Sequence, residues 1–142
     1  MNPHWLVPVD GSLPALRAVD HLLREVADST IAPAISLVNV QAPLPSEITR
    51  FISSAVVHDY HRETGEAALA DARARLEEAG LAYSEHILLG EAAPTIADYA
   101  RENGCTLIVI GSRGLGSVAG ILLGSVTSRV VHLTDLPVVV VK

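Results

Sequence analysis

The chain has 142 residues, 49% hydrophobic and 18% charged, which suits one domain, 1-142, burying about two thirds of its unfolded surface, and leaves no room for a two-domain enzyme. Its formal net charge is -6, and the single lysine, Lys142, accompanies nine scattered arginines, so the basic face that a nucleic-acid partner requires is missing. The lone Cys105 excludes an intramolecular disulfide, and neither a signal peptide nor an apolar run approaching ~18 residues is visible, which predicts a soluble cytoplasmic protein with no membrane insertion.

In chain order, His4 to Val9 is a short apolar strand broken by the turn residues Asp10-Gly11-Ser12, and Pro8 has to sit at its C-terminal end, where pairing stops. Leu13 to Asp28 repeats apolar residues at helical spacing behind a Ser12 cap. Ala34 to Val40 is a second strand, and Gln41 to Ser46 is loop. Glu47 to Ala79 reads mainly helical, most clearly from Thr64 onward, with Arg50 to Arg62 a candidate lid or break because Ser53, Ser54, Val56 and Val57 are poor helix formers. Gly80 ends that helix. Tyr83 to Leu89 suits an edge strand, and a helix over Ala92 to Asn103 follows, with Ile96, Ala97 and Ala100 facing inward.

Thr106 to Ile110 is a buried strand rich in β-branched residues, and it runs into the glycine-rich stretch from Gly111 to Val126. A last helix carries Val126, Val130 and Leu133 on one face, and Pro137 to Val141 is a final strand. The alternation of strand and helix with short connections predicts an α/β fold, a doubly wound parallel sheet with helices on both faces. Ligands of such sheets bind beyond the strand C-termini, which brings Asp10, Val40 and Gly111 to one cleft.

Glycines between a buried strand and a helix start are the usual construction of a phosphate site, because N–H groups there lack partners and carry partial positive charge. The P-loop pattern G-x4-G-K-[ST] fails for want of a lysine, and the hydrolase pattern G-x-S-x-G does not occur. Gly114-x-Gly116-x-x-Ala119 matches the dinucleotide fingerprint, but that fingerprint belongs after a first strand, with a βαβ unit to follow. The spacing that fits is wider: Gly111, two residues, Gly114, nine residues, then Gly124-Ser125. Glycine turns alone would explain Gly111 and Gly114 through positive φ and close packing, but give no reason for Gly124-Ser125 at a helix start.

This G-x2-G-x9-G-[ST] spacing resembles the nucleotide-binding signature of the universal stress protein family. Val7-Pro8-Val9-Asp10-Gly11-Ser12, Leu107 to Gly114, Gly124-Ser125-Val126 and Leu136 to Val141 are similar to that family's first strand, fourth strand and loop, helix start and last strand. The resemblance implies a five-stranded sheet in the order 3-2-1-4-5, of the adenine nucleotide alpha hydrolase-like type, that binds ATP or AMP. It implies that Pro8, Val9 and Asp10 border the adenosine and that the Val40 backbone meets the adenine edge. Ile110 then packs on the base, Gly111, Arg113 and Gly114 wrap the phosphates, and Gly124, Ser125 and Val126 close the far side. Thr106 and Leu136 depart from the family's common aspartate and cysteine, outside the glycine signature.

A helix N-terminus supplies about 0.3–1 kcal/mol toward an anion, against about 8 kcal/mol for micromolar binding, so base and ribose contacts have to carry a large share. With one lysine, charge neutralisation falls to backbone dipoles, Arg113 and a Mg²⁺ ion held through phosphates and Asp10. Asp10 has a competing structural role as a turn residue capping the first helix. No convincing catalytic base is present, so the expectation is a stress-response or regulatory module with at most slow ATP hydrolysis. The alternative is an interaction protein of the same fold that binds no nucleotide.

His58-Asp59-Tyr60-His61 places two histidines three apart, but zinc needs further ligands, and the segment reads as solvated. His4, His21 and His86 fall in no cluster. The apolar edge strand 137-141 requires cover, and pairing with a second copy supplies it with two-fold symmetry. The resemblance implies the same homodimer.

Overall fold

β-Branched runs alternating with amphipathic stretches give, in this computed structural model, a parallel sheet built from β1 His4–Pro8, β2 Ala34–Gln41, β3 Ser84–Leu89, β4 Leu107–Gly111 and β5 Val138–Val141. The structure describes residues 2–30, 32–115 and 122–142. The strand order is β3-β2-β1-β4-β5, every pairing parallel, as expected. The helices are α1 Leu13–Ala27, α2 Ser46–Thr49, α3 Ser54–Glu78, α4 Ala92–Glu102 and α5 Ser125–Leu133.

Successive strand residues point to opposite faces. Val7, Leu37 and Val109 therefore pack with Val19 of α1 and Leu69 and Leu76 of α3, whereas Leu6, Val38 and Ile108 pack with Ile96 of α4 and Val130 of α5. Both faces of the central strands are apolar, which is why their sequence runs are continuous rather than alternating.

Pro8 is the last residue of β1, in register with Val38. The N–H groups of the odd residues turn toward β2, as the Val9 bond to the Val38 carbonyl shows at 2.8 Å. The missing Pro8 N–H therefore falls on the β4 side, where pairing already ends at Leu6 and Ile108. Thr106 closes the other end of β1: its hydroxyl accepts from the His4 N–H at 3.0 Å and donates to the His4 carbonyl at 3.3 Å.

Two expectations need correction. The long helix begins ten residues earlier than Thr64, because Ser53 caps it by accepting from the Val56 N–H at 3.2 Å, and that cap outweighs the few tenths of a kcal/mol that each β-branched residue costs. The break is confined to the short stretch between α2 and α3. In α5 the buried residues are Thr127 and Val130, while Val126 and Leu133 are 39% and 45% exposed. The Thr127 hydroxyl donates to the Gly111 carbonyl at 2.7 Å, and this bond sets Thr127 rather than Val126 against the sheet, leaving Val126 at the open cleft.

Candidate functional site

β1 pairs with β2 on one side and β4 on the other, and the helices that follow β1 and β4 lie on opposite faces, so a crevice opens where these strands end. It is a cleft open to solvent, with about 660 Å³ of space when the solvent at its mouth is included. Pro8, Val9, Asp10, Val40, Ile110, Gly111, Arg113, Gly114, Gly124, Ser125 and Val126 all line it. Sequence reasoning missed Ala92 and Ile96 of α4, along with Leu115 and Thr127. Ile96 was legible as part of an inner stripe, but the stripe did not reveal that its end borders a cavity.

One wall is the start of α5. Gly124 is its cap residue, without a side chain to accept a bond, and the first intrahelical bond is from the Ser128 N–H to the Gly124 carbonyl at 3.0 Å. The N–H groups of Ser125, Val126 and Thr127 precede that bond and have no intrahelical acceptor. The wall is fixed by the Gly124 N–H donating to the Ser112 carbonyl and the Ser112 N–H donating to the Val141 carbonyl, each at 2.7 Å. A helix start held this way presents preorganised donors to an anion.

The opposite wall is Asp10 and the loop after β4. Asp10 Oδ1 accepts from the Ser12 N–H at 2.9 Å and Oδ2 from the Leu115 N–H at 3.0 Å. Ser12, not Asp10, caps α1, accepting from the Ala15 N–H at 3.3 Å. Asp10 is thus a brace between the end of β1 and the glycine loop, with lone pairs left over, and it is the only carboxylate among the described residues lining the cleft.

The two glycines of this loop are required by space and not by positive φ, which among described residues belongs to Gly11, Gly80, Gly90 and Gly104. A side chain at Gly111 would come within 2.6 Å of the Pro14 carbonyl carbon and 2.9 Å of the Ala15 nitrogen, so this glycine lets α1 approach β4. A side chain at Gly114 would collide with the Asp10 carboxylate. Gly116, Ala119 and Gly120, on which the dinucleotide fingerprint depends, lie outside the described residues.

The expectation that His58 to His61 is a solvated segment fails at His61, which is 5% exposed. Its Nδ1 lies 2.7 Å from Gln41 Oε1, a partner far away in sequence that no local pattern reveals, and its Nε2 is buried without a partner among the described residues. His4 likewise joins a polar chain, with Nε2 2.7 Å from the Ser36 hydroxyl and that hydroxyl 2.9 Å from Ser84. No cluster of three or more metal-ligating side chains occurs among the described residues, and no helix among them is long and apolar enough to cross a membrane.

Comparison with known proteins fits this geometry. The model of the universal stress protein family matches residues 1–142. The chain is 32% identical over 140 residues to universal stress protein MJ0531 of Methanocaldococcus jannaschii, covering 96% of this chain and 80% of that one. The solved structure of MJ0577 from the same organism superposes with a TM-score of 0.80 at 28% identity, covering 100% of this chain and 96% of that one. A universal stress protein solved in complex with cAMP superposes with a TM-score of 0.72 at 27% identity, covering 99% and 97%. The chain belongs to the universal stress protein family.

Proposed function

We propose that this chain binds an adenine nucleotide, ATP or AMP, in the cleft between the ends of β1, β2 and β4 and the start of α5. The observation that carries this reading is the convergence on one cleft of the α5 N–H groups, the Gly114 loop, Asp10 and the backbone of Val40. A structural neighbour solved with cAMP supports the same ligand class. In this reading Ile110 and Ile96 form the apolar walls for the base, the spare lone pairs of Asp10 accept from the ribose hydroxyls, and Arg113 with the α5 start faces the phosphates. A Mg²⁺ ion would be held mostly by phosphate and water oxygens, because among the described lining residues Asp10 alone offers a carboxylate.

Asp10 is the one carboxylate among the described lining residues, and its two oxygens already accept from the Ser12 and Leu115 N–H groups, which supports a reading of binding without fast hydrolysis. The protein then acts as a cytoplasmic nucleotide-responsive module and not as a fast enzyme, and it pairs with a second copy through β5. Gly124→Val tests the site directly, since a branched side chain there crowds the α5 donors. Binding should be lost while the helical circular-dichroism signal stays; unchanged affinity places the phosphates elsewhere.

A further inference from the structure

Between β1 and β2 the last rung is the Val9 N–H donating to the Val38 carbonyl at 2.8 Å. In a regular parallel ladder the next rung is the Val40 N–H donating to the Val9 carbonyl. The ladder stops before it, and the Val9 carbonyl accepts instead from the Asn39 side-chain amide, Nδ2, at 2.9 Å. Asn39 Oδ1 accepts from Gln41 Nε2 at 2.9 Å, and the same Nε2 donates to the His61 carbonyl at 2.8 Å. Gln41 Oε1 then faces His61 Nδ1 at 2.7 Å.

A carbonyl can only accept, so the Val9 end of this chain fixes each group in turn. Asn39 presents its amide nitrogen to Val9, Gln41 presents its nitrogen to Asn39, and His61 carries a proton on Nδ1. Asn39 is 4% exposed and His61 5%, so each group depends on its neighbours for satisfaction. Asn39 lies two residues beyond Leu37, on the sheet face covered by α1 and α3, whereas Val40 lies on the α4 and α5 face, in the cleft lining.

We propose that His61, Gln41 and Asn39 form a positioning relay that occupies the Val9 carbonyl and so keeps the Val40 N–H free as the cleft's donor to the adenine ring. This rests on the adenine-nucleotide reading and assigns its base selectivity. A free N–H beside the Val40 carbonyl matches adenine, which offers a ring acceptor next to an amino donor. It opposes guanine, which offers the reverse pattern. Removing the relay lets the Val40 N–H close onto the Val9 carbonyl, extending the ladder and withdrawing the donor.

The test compares the wild-type chain with Asn39→Leu, of similar volume, and with Gln41→Met, which keeps Asn39 but removes its anchor. Amide hydrogen exchange by NMR without nucleotide should show Val40 unprotected beside a protected Val38 in the wild type, and Val40 gaining protection in the variants. Titration with MgATP and MgGTP should show the ATP preference falling about fivefold, the worth of one neutral hydrogen bond, through weaker ATP binding with GTP unchanged. If Asn39→Leu does not fold, Gln41→Met carries both measurements. A protected Val40 in the wild type, no gain of protection in a folded variant, or an unchanged ATP preference overturns the relay. A wild-type chain that binds neither nucleotide overturns the adenine reading instead, and the exchange comparison then decides whether the relay withholds the rung.

Discussion

Asp10 and Leu115 are joined at 3.0 Å, carboxylate oxygen to backbone N–H, although they stand 105 residues apart. The bond closes the cleft wall on which Gly114 sits, and it leaves no room for a side chain at Gly114. Strand end, glycine loop and the proposed ribose contact are therefore one mechanical unit.

Gly114→Ala tests that unit. The added methyl displaces the Asp10 carboxylate from the Leu115 N–H, so nucleotide affinity should fall about tenfold, or ~1.4 kcal/mol. Calorimetric titration measures the affinity and urea unfolding measures the stability. An affinity within a factor of two of wild type would show that Asp10 and the loop are not coupled.

The open side of β5 offers a test of the proposed dimer. The Ile108 N–H donates to Pro137 and the Ser112 N–H to Val141, so odd-numbered residues of this strand face β4 and the N–H groups of Val138 and Val140 face outward. Val140→Pro removes one outward donor and spares the β4 ladder, a position where an edge strand tolerates proline. Sedimentation should show a dimer for the wild type and a monomer of unchanged helical content for the variant. A monomeric wild type at micromolar concentration contradicts the pairing.

Tyr83 provides a pH-dependent marker of the α3 and β3 edge. Burial first, then the 2.7 Å bond that its hydroxyl donates to Glu77, and then the charges of Glu77 and Glu85 against Arg73, push its phenol up to about 12. The unfolded value is about 10, so the neutral phenol favours the folded state. That contribution is fully present below pH ~10 and is lost as pH rises through the folded value. Phenolate absorbance should show a step near pH 12 that Tyr83→Phe removes; a Tyr83 step at the ordinary position contradicts the bond to Glu77.

The convergence of Asp10, Val40 and Gly111 was legible in the sequence because it follows from apolar runs, turn chemistry and the geometry of doubly wound sheets, whereas the strand order and the place of Gly124 were implied only by the resemblance to the universal stress protein family. What stayed hidden depends on single hydrogen bonds between distant residues. The rotation of α5 follows from the Thr127 hydroxyl reaching Gly111. His61 is buried because Gln41 offers it a carbonyl across the sheet face. The Ala92 and Ile96 wall exists because α4 starts over the strand tips, and no periodicity marks where a helix face meets a cavity.

The central claim is that the cleft holds an adenine nucleotide. The purified protein should be denatured and its supernatant analysed for released nucleotide, and the emptied, refolded chain should be titrated with ATP and Mg²⁺. Released adenine nucleotide or saturable binding of ATP at a stoichiometry of one per chain is the predicted result. No nucleotide released and no heat of binding would contradict the account.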